Sequence, residues 1–374
     1  VPVEFVGNVL HHDGTEFTPR TGRYFDRRFV DQLAGNYEYY GWDRVLLAYS
    51  SGSLDPGVLA AHLLSTRTDL KVLLAHRPNA VHPTSAARRF ASLDQLGDGR
   101  LDVHLITGGL DLEQRREGDY LSKDDRYART GEYIDILRRA WTSTERFSHH
   151  GTHYRFDDFG ADFLPHTPGG PGISFAGSSA AAFDIGAPRA DTYALWGEPL
   201  TQTAEQIAAV HRAAEAGGRP AAHRPGIMLF VRPILAPSIA AAHEKAAEIQ
   251  RRLEGVDSSH RGTAALPAAD HENEGSRRLL RVALSGSRHD RAGWTLRGDA
   301  LRGLRVPTIH LVGTPELVAE ALLDYVRLGV TRFQVRGYEG VHEPVDFGRY
   351  VIPLVRDEVA RLDSLTRKAQ AGHA

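Results

Sequence analysis

Cysteine is absent from the 374 residues. Its absence excludes disulfides, thiolate metal sites, iron–sulfur clusters and a cysteine nucleophile. Long hydrophobic runs are also missing: no apolar stretch approaches the roughly 20 residues that cross a bilayer. The opening Val1-Pro2-Val3-Glu4 lacks a basic-then-apolar export pattern, so a cytoplasmic location is expected. Nor is one sign of charge in excess. Lys and Arg total 45 against 47 Asp and Glu, a formal net charge of −2, so no global field draws the chain to nucleic acid or an anionic membrane. Several short signatures fail as well. No G-x-G-x-x-G follows the first strand-like run, and there is no P-loop. Neither Gly52-Ser53-Leu54 nor Ser285-Gly286-Ser287 forms a nucleophile elbow, and no carboxylate pair stands out for glycoside hydrolysis.

What is present is an alternation. Aliphatic and β-branched runs over residues 3–10, 44–49, 71–76, 102–107, 172–176, 192–196, 227–235 and 332–336 read as parallel strands buried on both faces. Helical periodicity falls at 29–40, 56–65, 85–96, 126–141, 179–187, 203–216 and 238–253, and again at 347–362 after the last strand. Eight strands alternating with eight helices predict a (β/α)8 TIM barrel in one domain spanning residues 1–374. A hydrophobic share of 41% is enough for such a core.

Two stretches interrupt the rhythm. Residues 149–163 read as a turn between short strands. Its His149, His150 and His153 are spaced like metal ligands, but they lie on an exposed turn with no carboxylate in ligand geometry, and no metal is expected. Residues 255–307, between the seventh and eighth strands, form a long insertion that is helical only around 276–284. It reads as an active-site lid or a solvated loop. Its arginines (Arg277, Arg278, Arg281, Arg288, Arg291, Arg297, Arg302, Arg305) make it the one strongly basic segment.

A barrel places its active site where strands end and loops begin at the C-terminal face. The fifth strand ends in Gly177-Ser178-Ser179 at the start of a helix. Those serines either bind a phosphate together with the free helix amides or simply cap the helix. The fourth strand carries His104 and ends in Thr107-Gly108-Gly109. There Thr107 is placed for a ligand's polar edge, and Tyr127 on the next helix returns to the same ligand or packs at the helix start. Trp196 closes the sixth strand as an aromatic wall. On the seventh, Met228, Phe230 and Arg232 share a face, and Arg232 pairs with an anionic substrate or with a neighbouring carboxylate. His11 ends the first strand as an acid or base near the pocket. His271, His289 and His310 are scattered and read as structural.

The combination of Thr107-Gly108, Asp125-Arg126-Tyr127, Gly177-Ser178-Ser179 and Trp196-Gly197-Glu198-Pro199 resembles the bacterial luciferase-like flavin monooxygenases, the alkanesulfonate monooxygenases most of all. Arg77-Pro78, the long insertion, Gly329-Val330 and Gly337-Tyr338 extend the likeness over nearly the whole chain. The resemblance implies a two-component system. A separate NAD(P)H-dependent reductase supplies reduced FMN, which reacts with oxygen through a flavin peroxide and oxygenates a small organic substrate, an alkanesulfonate among the options. It also implies that Ser178 and Ser179 hold the flavin phosphate, and that Tyr127, Thr107 and His104 meet the ribityl chain or ring. His76 would support the ring from behind, and Trp196 would join the same cofactor site. Tyr338, His11 or His342 would manage a proton. Ser53 stands where alkanesulfonate enzymes carry a cysteine. Met228 and Phe230 replace their Arg and His unless the register shifts to Arg232, and Arg297 of the insertion could replace the missing charge. The same resemblance implies a homodimer or homotetramer. It leaves open N-hydroxylation, oxidative C–C cleavage or epoxidation, a deazaflavin F420-dependent oxidoreductase, and a non-catalytic flavin-binding protein.

Overall fold

The computed structural model describes residues 2–255, 274–296, 308–338 and 340–371. The strands follow the aliphatic runs. β1 (Glu4–Asn8), β2 (Arg44–Leu47), β3 (Lys71–His76) and β4 (Leu101–Leu105) come first. They are followed by a hairpin of β5 (Phe147–His150) and β6 (Arg155–Phe159), then β7 (Gly172–Ala176), β8 (Thr192–Trp196) and the long β9 (Gly226–Leu235). The insertion adds β10 (Arg288–His289) and β11 (Gly293–Trp294), and β12 (His310–Gly313) and β13 (Val330–Val335) complete the series. β1, β2, β3, β4, β7, β8, β9 and β13 pair in that order, all parallel. The β13–β1 ladder closes the ring. This is the predicted barrel.

Its helices are α1 (Arg27–Tyr39), α2 (Pro56–Thr66), α3 (Pro83–Leu96), α4 (Asp111–Arg115), α5 (Lys123–Thr142), α6 (Ala180–Gly186) and α7 (Leu200–Ala216). After them come α8 (Ile239–Gly255), α9 (Glu274–Ser285), α10 (Pro315–Arg327), α11 (His342–Tyr350) and α12 (Ile352–Ala371). Side-chain caps start several of them: Asp26, Asp55, Ser122 and Thr314 each accept from backbone N–H groups of the first turn. Pro56 and Pro315 occupy first-turn positions where a missing N–H costs nothing.

Strand alternation sorts the side chains into two compartments. Val72, Leu74, Val103, Leu105, Ile173, Phe175, Tyr193, Leu195, Leu229, Val231 and Phe333 point outward into one large core with the helices. Residues pointing inward stack in layers. At the N-terminal end, Arg44 bridges Glu4 (3.1 Å) and Asp102, and Arg332 bridges Glu4 and Asp102 (3.2 Å), which closes the floor with charge. Above them Val6, Leu73 and Met228 form an apolar plug, with Leu46 and Ala194 against it.

The sequence reading needs two corrections. The helix predicted at 238–253 exists as α8 but does not cover the barrel between its seventh and eighth strands. The N-terminal part of β9 pairs with β8 and β13, while Arg232–Leu235 of its far end pair with β12. Helix α8 packs on that extension through Ala242, Ala246, Ile249 and Leu253. The helix that covers the barrel there is α10, through Val318, Ala321, Leu322 and Tyr325. The strand–helix alternation read from the sequence omits it, because the insertion interrupts that alternation just before it. The single helix predicted at 347–362 is two, broken at Val351, with a new segment starting at Ile352-Pro353.

Candidate active site

The C-terminal mouth is built from the ends of β4, β7, β8 and β9. At β7, Gly177 takes φ +144, and a Cβ there would lie 2.5 Å from Ala182 Cβ and 2.9 Å from the Tyr127 hydroxyl. Only glycine lets the chain turn this tightly under a tyrosine. The Gly177 carbonyl accepts from the Tyr193 hydroxyl at 2.9 Å, so the turn is held from the neighbouring strand. Ser179 caps α6, accepting from Ala182 N at 3.3 Å. It also lies beside the Tyr127 phenol, whose pKa burial pushes up and the Ser179 hydroxyl draws back. Capping and ligand contact are therefore both available to Ser179. Ser178, one residue earlier, does no capping.

At β4, His104 points inward, and its Nδ1 shares a 2.9 Å hydrogen bond with Ser174 Oγ on β7. Burial lowers its pKa to about 4, so it is a neutral hydrogen-bonding group. Thr107 Oγ1 is buried without a hydrogen-bond partner among the described residues. So are both polar atoms of Gln114, on α4, which is fully buried. Gly108 (φ +92) lies directly beneath that amide: a Cβ there would come within 2.0 Å of Gln114 Nε2. Buried polar atoms are normally satisfied, so orphans at a strand end mark a place where a polar ligand fits. Trp196 and Phe230 meet edge-to-face with ring centroids 5.4 Å apart and wall the mouth on the β8–β9 side.

The loops are braced by a buried cation. Arg77 reaches Glu113 (2.7 Å) and Glu117 (2.9 Å), and its guanidinium lies 5.0 Å from the Tyr49 ring centroid. Tyr49 in turn donates to Glu117 at 2.7 Å. The loops after the second, third and fourth barrel strands are thus tied together.

A luciferase-like monooxygenase profile matches residues 5–332. The chain belongs to the luciferase-like monooxygenase family. It is an enzyme of that family, and solved structures share its fold. A riboflavin lyase solved with modified FMN and its substrate riboflavin superposes with TM-score 0.79 at 22% identity, over 96% of this chain and 92% of that one. An EDTA monooxygenase from a Chelativorans species gives 0.74 at 18%, over 96% and 94%. An F420-dependent secondary alcohol dehydrogenase in complex with an F420–acetone adduct gives 0.69 at 15%, over 95% and 100%.

Against this luciferase-like frame, the predicted residues divide. Thr107, Ser178, Ser179, Trp196 and His104 come from the ends of the adjacent strands β4, β7 and β8, and Tyr127 of α5 reaches the Gly177 turn among them. His76 does not join them: its ring faces the helices, hydrogen-bonded to Tyr133 at 2.8 Å and packed edge-on against Phe90. The backbone alternation turns it outward. Met228 belongs to the plug inside the barrel, below the mouth. Arg232 is buried and already paired, donating to Glu16 (2.8 Å) and to the Gly337 carbonyl (2.9 Å) and lying 3.9 Å over the Tyr338 ring. It answers the open choice in favour of the neighbouring carboxylate, because a buried guanidinium needs a counter-charge in the fold itself. Tyr338 is likewise buried, its hydroxyl 2.7 Å from His310 Nε2. His342 opens α11 on the exposed surface. Ser53 donates to the Ser50 carbonyl at 3.0 Å within its own loop. His11 meets His12 edge-to-face and packs at a tilt against Tyr24 on the loop after β1. Arg297 lies outside the described residues.

Several groups were not legible beforehand. Glu343 lines two adjoining clefts with Tyr338. One is bounded by Pro233, Leu235 and Lys245, the other by Asn8, Glu16 and Arg336. Burial raises its pKa to about 7, although its carboxylate accepts from Gly337 N. Glu16, between Arg232 and Arg336, is held down at about 2 by those two cations against the opposing effect of burial. Neither carboxylate has a local motif. The Glu198–Arg278 pair (2.8 Å) could have been suspected, since both residues sit in segments already singled out.

Proposed function

We propose that this luciferase-like enzyme is the oxygenase of a two-component system. It would take reduced FMN from a separate flavin reductase and insert one atom of O2 into a small, largely apolar organic substrate. The observation that carries the cofactor assignment is the cradle at Gly177-Ser178-Ser179 under Tyr127, with the unsatisfied Thr107 and Gln114 following the adjacent strand β4. Reduced flavin, when bound, supplies the electrons that activate O2. The chain's own part is to bind, orient and exclude water. Ser178, Ser179 and Tyr127 hold the phosphate end. Thr107 and neutral His104 present hydrogen-bonding groups, and Trp196 with Phe230 forms a water-excluding wall. Glu343 is the carboxyl positioned to hold a proton near neutral pH, and it takes that role from His342.

The substrate reading follows from Arg232. Its charge is consumed by Glu16, so it gives no support to a sulfonate, and Phe230 favours N-hydroxylation, C–C cleavage or epoxidation of a weakly polar compound. Likeness to an F420-dependent dehydrogenase makes a deazaflavin the second cofactor reading.

An anaerobic titration with reduced FMN, followed by admission of oxygen, tests the reaction class. The expected result is saturable binding and reoxidation slower than that of free reduced flavin. Reduced FMN that does not bind, in a protein that binds reduced F420, would move the chain to the deazaflavin branch.

A further inference from the structure

Helix α11 begins shortly after β13, and its first turn puts Glu343 in the wall between two clefts. Their volumes are about 40 and 20 Å³, room for water in each. Tyr338 and Glu343 line both clefts, and every other lining residue belongs to one alone. The larger, outer cleft is bounded by Lys245 and Ile249 of α8, the end of β9 and the exposed Asp346. The inner one reaches Asn8 at the end of β1. Asn8 stands two residues beyond Val6 of the barrel plug, so strand alternation turns its side chain toward the barrel axis at the mouth. Glu343 therefore borders the mouth on one side and the surface on the other.

The wall is shaped for a carboxyl group. A Cβ on Gly337 would lie 2.0 Å from Glu343 Oε2, so only glycine leaves room there, and Gly337 N donates to Oε1. That contact fixes the carboxyl without consuming its proton, because the amide is the donor. The charged and titratable groups facing it come from every neighbouring element. They are Glu16 after β1, Tyr37 of α1, Arg232 of β9, Lys245 of α8, Arg336 and Tyr338 after β13, and Asp346 of α11. Most are engaged with other partners. Arg232 and Arg336 share Glu16 at 2.8 and 3.4 Å, and Lys245 donates to the Leu235 carbonyl at 3.2 Å. The Tyr338 hydroxyl meets His310, and that of Tyr37 donates to the Asn8 carbonyl at 3.1 Å. Of the lining carboxyl groups, Glu16 borders the inner cleft alone and Asp346 the outer alone. Glu343 is the one that joins them.

We propose that Glu343 carries protons from solvent to the mouth, taking them up from water in the outer cleft and passing them to water in the inner one. This rests on the oxygenase reading given above and says where its proton enters. Reduced flavin supplies the two electrons of the reaction. Inserting one oxygen atom into substrate and releasing the other as water consumes two protons; a reduced flavin anion brings one, and the second has to arrive from solvent. The count is the same without substrate, when O2 leaves as hydrogen peroxide.

The test follows reoxidation of bound reduced FMN by O2, without substrate, in wild type, Glu343→Gln and Glu343→Ala across neutral pH. The carboxyl is protonated below about 7, so the wild-type rate should fall as pH rises through that value. Gln keeps an acceptor for Gly337 N but has no acidic proton. That variant should react at least about ten-fold more slowly in mild acid and lose the pH step. Formic acid added to Glu343→Ala should restore part of the rate, which a purely structural role would not allow. Reduced FMN affinity, titrated anaerobically, should stay within about two-fold in both variants, since the cradle lies on other strands. A wild-type rate without the pH step, a Glu343→Gln rate equal to wild type, or a Glu343→Ala loss that formic acid does not restore would overturn the proton path and leave the cofactor reading standing. A wild type that does not bind reduced FMN would overturn both.

Discussion

Glu343 lies where three parts of the chain converge: the loop carrying Glu16, the end of β9 with Arg232, and the Arg336–Tyr338 segment after β13. Tyr37 of α1 faces the same group. Its carboxyl is held up at about 7 by burial, against the pull of both arginines and the Gly337 amide. The folded state therefore keeps a proton that the unfolded chain releases near the ordinary 4.5. The native protein binds more protons than the unfolded chain between those values, so this group's contribution to stability falls as pH rises from 4.5 through 7. Glu343→Gln, which mimics the protonated form, should match wild type at pH 5. At pH 8 it should be the more stable by as much as about 3 kcal/mol. Urea unfolding at the two pH values measures this, and a variant equally stable to wild type at both would show that Glu343 is ionised in the folded state. The neighbouring Glu16 behaves oppositely because it lies between two cations, which shows that contact, not residue type, sets the protonation state here.

At the scale of elements, the described part of the insertion, residues 274–296, is fastened rather than appended. Besides the Arg278–Glu198 pair, Asp290 accepts from Leu200 N at 2.9 Å, and Arg291 bridges Glu320 (2.9 Å) and Asp324 (3.1 Å) on α10. The Glu198 carbonyl is in turn held by the Tyr325 hydroxyl at 2.7 Å. Of these contacts the buried one should matter most, since exposed pairs contribute little. Arg278→Met leaves the Glu198 carboxylate buried and unpaired, at an expected cost of about 2–4 kcal/mol. Hydrogen exchange across α9 should accelerate while that of α3 stays unchanged. Adding Glu198→Gln should restore part of the loss. Exchange in α9 that does not respond would mean that the helix is held by its apolar face, Leu279 and Val282, instead.

Across the whole molecule, the barrel separates stability from chemistry along its axis. The floor of Glu4, Arg44, Asp102 and Arg332 lies at the strand starts, the plug of Val6, Leu73 and Met228 in the middle, and the aromatic and polar groups of the mouth at the strand ends. Asp102→Asn removes the charge shared by Arg44 and Arg332, and unfolding by urea should come earlier by about 2–4 kcal/mol. Reduced FMN affinity, measured on the folded protein, should stay within about two-fold because the floor lies a strand's length from the mouth. A large loss of affinity would show that floor and mouth are coupled through the plug.

The sequence by itself determined the barrel and the Gly177-Ser178-Ser179 turn at the end of β7, the proposed cofactor cradle. Aliphatic runs buried on both faces read as parallel strands, and Gly177-Ser178-Ser179 is contiguous in the chain, so the turn is legible although Tyr127 and Tyr193 reach it from elsewhere. The paired His149–Phe156 hairpin was legible for the same reason, since its register is local. Tertiary structure alone decided the rest. The resemblance places His76 at the mouth, yet strand alternation turns its ring to Tyr133. Arg232 was left between substrate and carboxylate, and only the approach of Glu16, 216 residues away in the chain, settled it. Tyr338 lost its free hydroxyl to His310, and Glu343 acquired its proton from burial among groups scattered over four segments. Periodicity records which face of an element is apolar. A side chain's partner, and with it its charge and its availability for chemistry, depends on contacts between segments far apart in sequence, and these exist only once the barrel has closed.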